Sequence, residues 1–187
     1  MPTTKEYDIG AGRVYFKAPG ANAEVSLGDT QGGIKVTANL ETTEIEVDQQ
    51  LDPVDEIITK RTVTIDVPLA EFTLENLALA FPGSTLVTDG TTATKKKLVL
   101  GSTAGASMLT YAGELRVHPL SHADSDKSRD FLFPCAAPLG DSLELSYEKT
   151  ALKVVNVKFK AYPSQAQATL GQTVIIGDPT ATPSGGD

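Results

Sequence analysis

The chain has 187 residues, 40% of them hydrophobic, which is enough for the core of one domain and too little for two full ones. Its formal net charge of -8 sits in the first half: residues 1–94 carry 15 acidic and 6 basic side chains, and residues 95–187 carry 9 and 10, a balance that repels phosphate and argues against a nucleic-acid grip. Cys135 is the only cysteine, so an intramolecular disulfide and a multi-thiolate zinc site are excluded, and the absence of a long apolar run or a leader-like start predicts a soluble, cytosolically made protein.

Most of the chain alternates apolar and polar residues with period two, so sheet is the expected element. Residues 1–11 read as an N-terminal arm, and the domain as residues 12–176. The glycines of LGDTQGG (Gly28, Gly32, Gly33) lack the G-x-x-x-x-G-K-[ST] order of a phosphate loop and predict a tight turn between strands. Ile34 and Val36 alternate with Lys35 and Thr37, and Ile45 and Val47 alternate with Glu44, Glu46 and Asp48, so both stretches are expected to be strands. Between Glu41 and Glu56 stand seven acids and no Lys or Arg. Within that run a long hairpin loop is expected at about 48–56, its tip at the Asp52-Pro53 turn. Val63, Ile65 and Val67 continue the alternation, and Pro68, with no N–H to donate, is expected to end the ladder.

One segment breaks the pattern. Leu74, Leu77, Ala78 and Phe81 recur at helical spacing, Thr73 stands where a cap belongs and Pro82-Gly83 stops the run, which predicts a short helix over 73–81 packed on the sheet. Lys95, Lys96 and Lys97 form the one basic cluster, too short and too poor in interleaved aromatics for nucleic acid. They read as a solvated strand start, with a subunit-interface salt bridge as the rival. Further strands are expected over 114–118, 142–148 and 155–161, and the tail from Gly177, GDPTATPSGGD, has almost nothing to place in a core.

Catalytic chemistry is poorly supplied. His118, His122 and Cys135 are the sole candidates for a Cys/His nucleophile pair or a metal site. His118 is expected on the polar face of its strand, near the surface and with no third group to orient it. The many carboxylates lie in rows along strands and do not converge as a glycosidase pair must, and no D-x-[DN]-x-[DN]-G calcium loop is present. No catalytic, cofactor-binding or metal-ligating residue is assigned, and an enzyme is not expected.

Four motifs stand in order along the chain: G-x-G-x-V-Y (Gly10 to Tyr15), L-G-x-T-x-G-G (Leu27 to Gly33), E-I-E-V-D-Q (Glu44 to Gln49) and V-P-L-A-E-x-T-L-E-N-L-A (Val67 to Ala78). In these the chain, over about residues 7–160, resembles the major tail tube proteins of siphophages. That resemblance implies a mainly β fold, a β-sandwich or barrel of two packed antiparallel sheets with one short flanking helix and extended arms. It implies a virion structural subunit, made in the host cytoplasm and assembled as stacked hexameric rings. Their channel carries DNA into the host without specific binding. The implied partners are further copies of the chain and the tail chaperone, tape-measure, tail-tip and tail-terminator proteins, with no membrane and no cofactor. Within that frame Glu44, Glu46 and Asp48 are candidates for a lumen-facing acidic strip, with Ile45 and Val47 holding the strand to the core. Gln49, Gln50, Leu51, Asp52, Pro53, Val54 and Asp55 are candidates for a loop that stacks one ring on the next. The alternative is a β-sandwich binding module for carbohydrate or surface adhesion. It would show exposed aromatics as a platform, whereas Trp is absent and aromatics total 6%.

Overall fold

A computed structural model describes residues 9–101, 104–140 and 152–182; the strand expected over 142–148 lies outside the described residues. Among them are ten strands: β1 (Gly12–Lys17), β2 (Val25–Ser26), β3 (Lys35–Ile45), β4 (Asp55–Leu69), β5 (Ser84–Thr88), β6 (Lys96–Leu100), β7 (Gly113–Pro119), β8 (Phe131–Leu139), β9 (Val155–Ala161) and β10 (Ile175–Ile176). One α-helix, α1 (Leu74–Ala80), follows β4. Eight strands form one antiparallel sheet in the order β2-β1-β7-β8-β9-β4-β3, with β10 added on β8, and β5 and β6 form a second. The protein is thus mainly β, a sandwich of two packed antiparallel sheets with one short helix.

The period-two pattern becomes the core directly. Val63, Ile65, Val67 and Leu69 of β4 pack with Val155, Val157 and Phe159 of β9, Val14 and Phe16 of β1, Leu115 of β7 and Phe133 of β8, all buried. Each such side chain contributes about 1.5–3 kcal/mol by leaving water. The Phe16 and Phe159 rings meet at 5.5 Å between centroids. Helix α1 begins where expected, because the Thr73 hydroxyl accepts from Asn76 N at 3.1 Å, and Leu77 and Ala80 on its inner face join the same core. Leu98 of β6 packs there too, which ties the small sheet to the large one.

The large sheet curls back on itself. Leu27 N donates to Val14 O at 2.9 Å, while Gln31 N donates to Pro68 O at 3.0 Å and Ala70 N to Asp29 O at 2.8 Å, so the turn after β2 bridges β1 and the end of β4. Gly28, Gly32 and Gly33 supply the left-handed conformations this turn needs, with φ of 90°, 105° and 83°. Pro68 does not end β4, which runs on to Leu69. Its carbonyl, and with it the side on which an N–H would point, faces residue 31 beyond the last β3 pair, Lys35 with Asp66, so no ladder donor is missed.

The acidic segment also departs from expectation. The stretches around Ile34 and Ile45 are one eleven-residue strand, β3, with a bulge between Glu41 and Thr42, and that strand stops at Ile45. Val47 and Asp48 lie in the connection to β4. Ile45 and Val47 are exposed and hold nothing to the core. The reason is reach: β4 becomes alternately buried only from Val63, so its first seven residues and their β3 partners project past the body.

Candidate functional site

The projecting β3–β4 hairpin carries every residue nominated from sequence for a lumen or stacking role. Glu44 is on β3 opposite Glu56, Glu46 and Asp48 are in the connection, and Gln49 to Val54 form the tip, closed by Val54 N to Ile45 O at 2.9 Å and Gln50 N to Val47 O at 3.1 Å. Asp55 opens β4 and caps Glu56 N at 2.8 Å. All of these side chains are exposed.

Three side-chain contacts between the strands stiffen the hairpin: Lys60 Nζ donates to Glu41 Oε1 at 2.7 Å, Thr59 Oγ1 donates to the Glu41 carbonyl at 3.1 Å, and Thr42 Oγ1 donates to Glu56. Its apolar residues are the unusual part. Leu40, Ile57 and Ile58 are 50%, 52% and 57% exposed, and Leu51 at the tip is wholly exposed. Ile57 and Ile58, as successive strand residues, put exposed apolar side chains on both faces of the arm, more apolar surface than a solvated hairpin needs. Beside it, β3 is the last strand of its sheet, eleven residues long, with β4 as its one partner among the described residues. An edge of that length is ready to pair with another chain.

At the far end of β4 stands the small sheet. Lys96 Nζ donates to Glu75 Oε1 of α1 at 2.5 Å, and this lysine holds the Glu75 carboxyl below the usual carboxylate range. Lys95 and Lys97 are exposed beside it.

A third cluster is one that sequence reasoning missed. His118 is fully buried, not on the surface, and a third group does orient it: its Nδ1 lies 2.6 Å from Oδ1 of buried Asp130. The other Asp130 oxygen accepts from Arg116 Nη1 at 3.0 Å, Arg116 Nε donates to Glu24 at 3.0 Å, Nη2 donates to the same carboxylate, and the guanidinium lies 4.1 Å above the Tyr15 ring. The hydrogen bond to Glu24, outweighing the cost of burial, pushes the Arg116 pKa above its ordinary value. Backbone joins in, since Gly177 N donates to Asp130 O at 2.8 Å and fastens the chain after β10.

This network clasps the start of β8 to β7, to Glu24 and to the chain after β10. The second ring nitrogen of His118 faces the His122 carbonyl at 3.3 Å and Asp124 at 3.7 Å, so the imidazole is enclosed with both nitrogens engaged. Cys135 is five residues further along β8 than Asp130, on the order of 17 Å at about 3.4 Å per residue, and burial pushes its thiol pKa up. The Cys/His pair is therefore not assembled. Among the described residues no group of three or more His, Cys, Asp or Glu is arranged to hold a metal ion. No described helix is long and apolar enough to cross a membrane.

Arg116 and His118 at i and i+2 share a strand face, and Asp130 directly precedes the next strand, so the signal is an arginine, a histidine and a carboxylate at adjoining ends of one β-hairpin. Compared with models of known protein families and with curated proteins, the chain finds no match.

Proposed function

We propose that the chain is the structural subunit of a siphophage tail tube, assembling as stacked hexameric rings around a channel for DNA. The observation that carries this reading is the β3–β4 hairpin, a two-stranded arm that leaves the core with exposed apolar side chains and an eleven-residue edge strand whose one partner among the described residues is β4. In a monomer such an arm costs solubility and gives nothing back; in an assembly of identical copies it is covered. The four ordered motifs support the same reading, since two of them, Glu44 to Gln49 and Val67 to Ala78, fall on the arm and on the β4–α1 junction that anchors it. No chemistry is asked of any residue in this role.

The test is direct. Purified protein taken through a concentration series should give six-fold rings or hollow tubes in negative stain, with matching large species in analytical ultracentrifugation. A compact monomer under every assembly condition, together with absence from purified virions, would overturn the proposal.

A further inference from the structure

We propose that the β5–β6 hairpin is the surface that receives the acidic β3–β4 tip of a second copy of this chain. The inference rests on the tube reading and names the acceptor of its stacking contact.

The two surfaces match in layout. At the tip, wholly exposed Leu51 stands among Asp52 and Asp55, with Val54 beside it. On the small sheet, exposed Val87 and Val99 are flanked by exposed Lys95 and Lys97, around a recess of about 330 Å³ lined by Val87, Asp89 and the lysines. Each side is thus an apolar centre with a charged rim, and the rims are of opposite sign.

The lysines are also free to serve. Among the described residues Lys95 and Lys97 make no ion pair, whereas Lys96 is committed to Glu75 and Lys60 to Glu41. Asp89, the one acid in the recess, is turned to its own loop, its Oδ1 accepting from Thr91 N at 2.9 Å and Thr92 N at 2.6 Å. The recess presents positive charge outward.

Geometry forbids the contact within one chain and favours it between chains. The tip is at the start of β4, and the Glu75–Lys96 pair follows its other end, a separation on the order of 45 Å for fifteen residues at about 3.3 Å each. β4, held by β3 along the arm and by β9 from Val63 onward, cannot fold back over that distance. Two different, complementary patches at opposite ends of one subunit make a head-to-tail contact, which repeats along a filament.

The experiment exchanges the rim charges. One variant carries Lys95→Glu and Lys97→Glu, leaving Lys96 to hold α1; the other carries Asp52→Lys and Asp55→Lys. Each alone should keep its circular dichroism and melting but fail to elongate, with the critical concentration for tubes raised about tenfold or more. Mixed in equal amounts they should elongate together, since each now complements the other and not itself. If the lysine variant elongates like the parent, or the mixture stays short, the acceptor surface is wrong while the tube reading stands; a parent protein that forms neither rings nor tubes sinks the tube reading itself. As a second readout, Leu51→Cys with Val87→Cys in a Cys135→Ser background should give a ladder of disulfide-linked multimers on mild oxidation. Monomers only, from parent-like tubes, would overturn the contact.

Discussion

Asp130 holds two groups on its two oxygens, the Arg116 guanidinium and the His118 ring, and all three are buried. Removing the carboxylate takes the partner from Arg116 Nη1 and from His118 Nδ1, although Glu24 still accepts from Arg116 Nε and Nη2, and unmaking buried polar contacts of this kind is costly. Asp130→Ala should therefore destabilise by about 3–5 kcal/mol, read as a lower urea midpoint with an unchanged slope. Asp130→Asn, which keeps one acceptor, should fall between it and the parent. An unchanged midpoint for the alanine variant would mean that loop 120–130 and the segment at Gly177 are fastened by something other than this clasp. The sequence holds the parts of the arrangement, Arg116 and His118 on one strand face and Asp130 before the next strand, but not their enclosure. Alternation puts His118 on the polar face of β7 correctly, but it cannot say that the chain beyond Pro119 folds back and covers that face.

At the scale of elements, the same distinction runs through the molecule. Helix α1 was readable to within a residue because its cap, its apolar spacing and its Pro-Gly stop are all local. The strands at β4, β7 and β9 were readable because one face of each is core, so burial writes the alternation. The outer half of the hairpin departs from the expectation for the converse reason: Ile45 and Val47 carry the pattern of a core strand but face water, because the arm projects past the core that alternation would predict for them. The acidic residues at the tip stand out by composition and Lys95 to Lys97 read as a solvated strand start with a subunit-interface salt bridge as the rival, while the distance between the two clusters is set by the length of β4. Excising Gln49 to Val54 and closing Asp48 to Asp55 with a two-residue turn should leave the fold intact, since no buried side chain is lost and the Lys60–Glu41 pair remains. Melting should shift by no more than a few degrees, while elongation into tubes should stop. Normal tubes from that variant would remove the tip from the stacking contact.

At the scale of the whole molecule, the asymmetry of charge along the chain becomes an asymmetry in space, since the acids from Glu41 to Glu56 all lie on one projecting arm. In a ring this concentrates negative charge wherever the arms converge, and we place Glu44, Glu46 and Asp48 toward the channel. There, repulsion of phosphate would act over about a Debye length, ~8 Å at physiological salt, and let DNA pass without sticking. Glu44 alone of the three is on a strand, directly opposite Glu56, while Glu46 and Asp48 belong to the connection. Glu44→Lys would turn one like-charge pair into an attractive one, so the triple variant Glu44→Lys, Glu46→Lys, Asp48→Lys should fold within about 0.5 kcal/mol of the parent. It should also still form tubes, because the rim charges at Asp52 and Asp55 are untouched. The channel, however, would now release counterions on meeting DNA, so ejection should slow or stall at low ionic strength and recover as salt is raised. Ejection from virions carrying the triple variant, followed across ionic strength beside a map that locates the three side chains, measures this. Side chains on the outer wall, or ejection with unaltered salt dependence, would reject the acidic channel and leave the tube reading to stand on assembly alone.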